Sequence, residues 1–595
     1  MTDGPSTDAA STAGRPRRPA PWRLLVPRWA RLYRRELLRD DVSAGLTLAV
    51  LLIPQSIAYA TLTGMPPEAG LYAAIVSLVV YAALGTSSFI SVAPVAIDSL
   101  LVAAAVGPIA QGDTGLYVGA AALLAIMTGL IQVALGAARL GALVNFLSVP
   151  VISGFTSAAA ITIAVSQLKE LLGLEIDGSA GSDFLGTIST VIGRIDTVDF
   201  KTLLIAAAAI AVLVAGRRFA PRFPAALATV AAATAVVAIT GLDRQGVRIL
   251  GEVPAGLPTP QLPSLDLDLI ALLAPSALTI AVISYMESIS TGKAFAARTR
   301  QRIDANRELL AIGAANVAAG VFRGFPVSGG FSRGAVNFRA GAKTQLSGVI
   351  AAVVLALAVA FLTPLFFHLP NAALAAVIIV AVATLVDIRG ARRVTRIRRE
   401  DGAALAVTFA ATLLLGVAAG LAVGVAFSLG VFLFHTAKPH VAELGRVEGT
   451  DMYRNVQRWT TRTDERIVVL RMDAPLYFAN AKFLADRVQQ LVATHPTVHD
   501  VVLVASGIGD IDASGVQQLI DLDRDLRTTG VRLHLATVVG PVRDVLANAG
   551  LWDALVADGH VHASLPDAVR AITADSPSPL LDDLADAESP PDGIA

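Results

Sequence analysis

A chain of 595 residues that is 54% hydrophobic and 16% charged, with a mean hydropathy of +0.64, is too apolar for a soluble protein of this size and reads as a polytopic membrane protein. Its 47 basic and 47 acidic residues cancel, so global charge selects no partner. The absence of cysteine excludes disulfides, thiolate metal sites and cysteine chemistry.

Residues 1–41 form a basic arm. The opening MTDGPSTDAASTAGRPRRPAPW has no short apolar core followed by a cleavage site, so it reads as a disordered cytoplasmic segment and not as a signal peptide. Between Trp22 and Asp40, aromatics and arginines recur at helical spacing, which suits either a segment lying on an anionic leaflet or an ordinary solvated helix. A transmembrane domain is expected over 42–437. Its fourteen apolar spans fall at 42–63, 68–84, 93–107, 116–136, 141–166, 200–216, 223–241, 269–292, 306–322, 331–342, 345–366, 371–387, 402–416 and 418–437. The stretch 184–195, FLGTISTVIGRI, is brief and amphipathic and is expected on the membrane surface.

Basic residues gather after even-numbered spans, as at Arg217, Arg218 and Arg222, at Arg298, Arg300 and Arg302, and in the cluster from Arg389 to Arg399. Connections after spans one, three, eleven and thirteen hold no Lys or Arg. This bias places the even-numbered ends, the N-terminus and the C-terminal region in the cytoplasm of a cell with the protein in its inner membrane.

Spans three and ten, seven apart, are the short ones, and each follows a Ser/Gly/Pro break. In the tenth, Gly329 and Gly330 end any incoming helix, and Ser328 or Ser332 can cap a new one running only to about Ala342. Such a helix covers roughly half of a ~30 Å hydrocarbon core. In the third, SFISVAPVAIDSL offers Ser91 as a cap and Pro94 near the first turn. Paired interrupted segments at matching positions of two halves point to a substrate site. Seven spans per half make the halves inverted, so the two half-helix N-termini face each other and draw an anion between their positive dipole ends. Arg333 adds a full positive charge at mid-membrane depth, either for an anion or paired with a carboxylate for packing.

Glu287, in span eight, must carry a proton or face a cation or Arg333. A carboxylate able to switch between those states would couple proton movement to anion movement. Gln55 and Tyr59 share one face of span one, beside Pro54, and either line the site or hold helices together. For Asp98 in span three, three readings stand open: binding a cation, pairing with an arginine, or facing water.

After His435 charge returns, and strands (466–472, 501–506, 531–537) alternate with helices (479–492, 514–527, 541–549), an α/β domain expected over 443–575. Asp512 and Ser514 open one of these helices, a position that suits simple capping or a phosphate. The Pro- and acid-rich tail 576–595 is expected to be disordered. No glycine-rich loop, metal-ligand cluster or nucleophile–base set is evident, so neither enzymatic activity nor a cofactor or metal is expected.

With these residues in view the chain resembles the sulfate permease family, solute carrier family 26, over roughly 42–575. The resemblance rests on PQSIAYATLTGMPPEAGLY (54–72), SVAPVA (91–96), ESISTGKAFA (287–296), NRELLAIGAANVAAGVF (306–322) and GGFSRGAVNFRAGAKTQLSG (329–348). It implies fourteen helices in a seven-plus-seven inverted repeat like that of uracil permeases, with a core moving against a gate in elevator fashion. It also implies that 443–575 is a STAS domain, similar to anti-sigma-factor antagonists, in which the serine at the place of Ser514 is phosphorylated. By motif, Gln55, Tyr59, Val95, Ser332 and Arg333 would line the anion site and Glu287 would be the coupling carboxylate. Two departures are Val95, where some relatives carry an aromatic, and Ala93, where relatives often have glycine.

The expected function is secondary uptake of a small oxyanion, sulfate first, by proton symport, with bicarbonate or a dicarboxylate second. A non-transporting anion sensor acting through the STAS domain and an uncoupled channel are the readings from other classes. The expected partners are the oxyanion, protons, the bilayer, a second copy of the chain and a cytoplasmic partner of the STAS domain, with no nucleic acid.

Overall fold

Each of the fourteen apolar stretches forms a helix. The computed structural model describes residues 27–31, 33–142, 148–174, 184–220, 223–574, 578 and 580, so the arm 1–26 and most of the tail 576–595 lie outside the described residues. Two units divide between Ser428 and Leu429. In the first, helices follow in the order α1 (Leu38–Thr63), α2 (Pro67–Leu84), α3 (Ala96–Ala110), α4 (Thr114–Ala137) and α5 (Val149–Ser166). The short helix α6 (Phe184–Gly193) precedes α7 (Phe200–Phe219), α8 (Ala225–Thr240), α9 (Leu267–Thr299) and α10 (Ala305–Val321). Then come α11 (Phe331–Arg339), α12 (Leu346–Phe361), α13 (Asn371–Val382), α14 (Ile388–Ile397), α15 (Arg399–Leu415) and α16 (Val417–Ala437). The arginine cluster expected as a connection is thus itself a helix, α14, with Asp387 capping it through the Gly390 amide.

Chain breaks follow local chemistry. Helix α1 ends where Gly64 adopts a left-handed conformation (φ 84°), and α2 starts on Pro67, whose missing N–H costs nothing in a first turn. Glycines let the helices touch. A Cβ on Gly129 of α4 would lie 2.5 Å from the Gly313 carbonyl oxygen, and one on Gly313 of α10 would lie 2.7 Å from that of Gly129. Small residues at such crossings are how helices associate in lipid, where apolar side chains gain nothing by leaving the bilayer.

The packing repeats. Helix α1 packs on α12 as α9 packs on α4; α2 packs on α12 as α10 packs on α4; and α5 packs on α15 as α13 packs on α7. Each pair becomes the other when the first seven spans are exchanged for the last seven, a seven-plus-seven correspondence. Two short strands, β1 (Val92–Ala93) and β2 (Ser328–Gly329), sit in the breaks before α3 and α11 and pair antiparallel, Val92 with Gly329 and Ala93 with Ser328. Each half thereby supplies one strand and one half-helix. With 15 and 9 residues, α3 and α11 are both too short to cross ~30 Å at about 1.5 Å per residue.

The second unit is an α/β domain. Its sheet runs β4 (Tyr453–Asn455), β3 (Val441–Arg446), β5 (Ile467–Met472), β6 (Asp500–Val504), β7 (Arg532–Ala536), β8 (Val561–His562), with β5 to β8 parallel and β3 antiparallel to both neighbours. Helices α17 (Ala481–Thr494), α18 (Ala513–Thr528), α19 (Gly540–Asn548), α20 (Leu551–Ala557) and α21 (Leu565–Ile572) complete it. Strands β5, β6 and β7 and helices α17 to α19 match the expected elements. Strands β3, β4 and β8 are additional. Within the tail, Ser578 donates to Asp464 (2.6 Å), and buried Leu580 accepts from the Arg446 guanidinium (2.7 Å).

Candidate functional site

The site begins with two chain breaks that neighbouring helices hold open. Asn316 of α10 clamps Val327, accepting from its amide (2.7 Å) and donating to its carbonyl (3.0 Å). Gln132 of α4 accepts from the same Asn316 amide group (3.0 Å) while donating to Ser284 (2.6 Å) and the Ala281 carbonyl on α9 (3.0 Å). Ser288 of α9 accepts from the Gly329 amide (2.7 Å), and Thr291 donates to the Gly329 carbonyl (3.2 Å). On the opposite break, Ser77 of α2 donates to the Val92 carbonyl (2.8 Å). These satisfy backbone groups that lipid could not, the condition for irregular chain at membrane depth.

Both half-helices start without a side-chain cap. The residue before α3 is Val95 (φ −130°, ψ 154°) and the residue before α11 is Gly330 (φ −74°, ψ 134°), and neither start carries a capping hydrogen bond. This corrects the expectation that Ser91, and Ser328 or Ser332, cap them: the Ser91 hydroxyl has no partner, and Pro94 lies outside the helix. Their first N–H groups are therefore left for a ligand. The two starts meet. A Cβ on Gly330 would lie 3.2 Å from Val95 Cγ1 and 3.2 Å from Arg333 Nη2, so a side chain here would crowd this gap.

Arg333 is 1% exposed. Its guanidinium donates to the carbonyls of Pro94 (2.5 Å), Ala93 (2.9 Å) and Ser328 (3.0 Å), with Ser91 at 3.5 Å, and its Nε has no partner. No carboxylate forms an ion pair with it among the described residues, so the packing alternative, a fixed pair with Glu287, is not built. Carbonyl dipoles satisfy its N–H groups but leave the positive charge uncancelled.

Glu287, half-buried on α9, accepts a long 3.4 Å bond from the Ser328 hydroxyl. Tyr59, Asp98 and Glu287 all lie close enough to Arg333 to feel its charge. Gln55 (5% exposed) and Tyr59 (6%) project from α1 one turn apart, and Gln55 Oε1 has no partner. Ser332 is exposed beside Arg333, and Val95 is buried. The transport-domain residues singled out from sequence thus lie on the elements around the facing helix starts. Sequence reasoning missed Asn316, Gln132, Ser288 and Thr291, although each is a polar residue within an apolar run.

Ser514 belongs to the second unit. It is exposed at the second position of α18, which Asp512 caps through the Gly515 amide (2.7 Å) while also accepting from the Phe478 amide (3.0 Å). No group of three or more His, Cys, Asp or Glu arranged to hold a metal occurs among the described residues.

The model of the sulfate permease family matches residues 38–408, and that of the STAS domain matches 458–568. A probable sulfate transporter of Mycobacterium tuberculosis is 38% identical over 544 residues, covering 91% of this chain and 96% of that protein. The chloroplastic sulfate transporter 4.1 of Arabidopsis thaliana is 35% identical over 561 residues, covering 91% and 81%. Among solved structures, the murine Solute Carrier 26 family member A9 anion transporter in the inward-facing state shares the fold with a TM-score of 0.86 at 24% identity, covering 95% and 96%. The transmembrane domain of a cyanobacterium bicarbonate transporter superposes with a TM-score of 0.58 at 24% identity, covering 67% of this chain and 99% of that one. With fourteen apolar helices among the described residues, a STAS domain, and relatives alike over four fifths or more of their length, the chain is a multi-pass membrane anion transporter, not an enzyme, and belongs to the sulfate permease family.

Proposed function

We propose that the protein takes up sulfate together with protons across the inner membrane, both termini cytoplasmic, with Gln55, Tyr59, Val95, Ser332 and Arg333 around the anion and Glu287 as a proton carrier. The observation that carries this reading is Arg333, buried between two uncapped helix starts and, among the described residues, bonded only to neutral carbonyls. Two helix N-termini worth roughly +0.5 each and one guanidinium sum to about +2, the complement of a divalent oxyanion. That relatives are named sulfate transporters supports placing sulfate ahead of bicarbonate or a dicarboxylate for this chain.

Helices α5, α7, α8, α13 and α15 pack largely on one another, as do α1 to α4 with α9 to α12. That division supports an elevator in which the second group carries the site past the first, in a homodimer. Exposed Ser514 is the place for phosphorylation or for a cytoplasmic partner of the STAS domain.

The test is sulfate affinity of the full-length protein across pH, with bicarbonate and fumarate as competitors. Wild type is expected to bind sulfate more tightly as pH falls, and Glu287→Gln to bind it with a weaker pH dependence. An unchanged dependence removes Glu287 from coupling. Displacement by bicarbonate or fumarate at lower concentration than unlabelled sulfate reassigns the substrate.

A further inference from the structure

Asp98 has no part in the reading above, yet it stands in the same site. It lies in the first turn of α3, is 0% exposed, and neither carboxylate oxygen has a hydrogen-bond partner within 3.5 Å, although the Ser328 hydroxyl lies near enough to act on it. It is the sole charged residue of that helix. The charged groups facing it are Glu287 from α9 and Arg333 from α11, while Tyr59 from α1 faces those two. Helices α4 and α5 also pack on α3 and bring no titratable group to it.

Two physical consequences follow. An ionised carboxylate in a helix's first turn sits at the positive end of the dipole, which is the same end an anion between α3 and α11 would use. Ionised Asp98 and bound oxyanion therefore repel each other at one positive helix end. Moreover, one guanidinium against two ionised carboxylates gives the empty site a net charge of −1, which repels an anion in a low-dielectric setting. A proton on each carboxylate removes both obstacles. With both protonated and a dianion bound, the site again carries −1, so the empty and loaded forms cross the membrane with equal charge.

We propose that Asp98 is a second proton-carrying residue, so that each sulfate moves with two protons, one on Glu287 and one on Asp98, and the cycle is electroneutral. This rests on the proton-coupled sulfate reading above. In balance, one SO₄²⁻ and two H⁺ enter the site on one side and leave on the other, with no bond made or broken beyond the two O–H bonds.

The test uses full-length protein in proteoliposomes with the membrane potential held at zero. A tenfold sulfate gradient is balanced by an opposing pH gradient of about half a unit if two protons move and about one unit if one does. Wild type is expected at about half a unit and Asp98→Asn at about one, with Asp98→Glu returning to the wild-type value. A wild-type balance near one unit overturns the proposal without any variant, as does an Asp98→Asn balance equal to that of a two-proton wild type. Sulfate transport that no pH gradient opposes, or no sulfate transport, instead overturns the underlying reading. Should Asp98→Asn fold but not transport, its sulfate affinity against pH decides. The limiting slope should fall from about two protons per sulfate to about one, and an unchanged slope contradicts the proposal.

Discussion

The Arg333 guanidinium of α11 donates to the Pro94 carbonyl of the opposite half at 2.5 Å, so the charge that would hold an anion is positioned by the chain break of the other repeat. A lysine in its place keeps the charge but not the fork, because one ammonium cannot reach the carbonyls of Pro94, Ala93 and Ser328 together. Arg333→Lys is expected to weaken sulfate binding by about 10- to 100-fold, the loss of one or two charged hydrogen bonds. Isothermal titration on the purified protein reads it, and affinity within twofold of wild type would mean that charge alone suffices.

Asn316 acts on the site through Val327. Asn316→Ala strands the Val327 amide and carbonyl and frees Gln132, at a cost of about 1–3 kcal/mol per buried group. Two effects should appear together, a lower melting temperature and loss of sulfate affinity at temperatures where the protein is fully folded. A destabilised variant with wild-type affinity would make Asn316 purely structural.

Gly129→Leu should fail differently. A Cβ there meets the Gly313 carbonyl oxygen at 2.5 Å and the Val317 amide nitrogen at 2.6 Å, both backbone, so α4 and α10 must move apart. Overpacking of this kind costs about 1–3 kcal/mol or more. The melting temperature in detergent should drop by several degrees, whereas Gly119→Leu, which meets nothing within 4 Å, should leave it unchanged. Equal melting for the two would contradict the close crossing.

Acid should loosen the STAS sheet in two steps. Burial, and then the charge of His534, push His560 and His562 below the usual imidazole value; the His534 ring lies 4.4 Å from that of His560, and its Nδ1 is 3.1 Å from His562 Nε2. The unfolded chain then takes up more protons than the folded one as pH falls below about 6.5, so stability is lost on that side. Burial alone would raise Asp464, but hydrogen bonds from Arg466 and Ser578 outweigh it and hold that carboxyl at about 2. Its contribution is present above about pH 4 and lost as pH falls toward 2. Amide hydrogen exchange of the intact protein, corrected for intrinsic pH dependence, should show β7 and β8 losing protection first, by at most about tenfold per pH unit for each histidine. His560→Gln with His562→Gln should remove that first step, and protection unchanged down to about pH 5 would contradict it.

Much of this was legible in sequence because the bilayer demands long apolar runs and backbone satisfaction, and both leave marks. The fourteen spans, the two short helices and Arg333 are such marks. Cap positions were not: Ser91, Ser328 and Ser332 are good capping residues, but the pairing of Val92 with Gly329 keeps the chain extended through Val95 and Gly330, which leaves Ser91 and Ser328 outside the helices and Ser332 inside α11. Two-residue strands are too short for alternation to reveal, which also hid β8 of the STAS sheet. Asn316 and Gln132 are visible as polar residues in apolar helices, but their partners lie on elements up to 184 residues away in the chain. Only the fold brings them together.

The most direct measurement is labelled sulfate uptake into proteoliposomes with and without an inward proton gradient, for wild type and Arg333→Ala. The account predicts gradient-stimulated, saturable uptake in wild type and a fall to the level of empty liposomes in a folded Arg333→Ala protein. Stimulated uptake that survives Arg333→Ala would contradict an anion site built around that buried guanidinium.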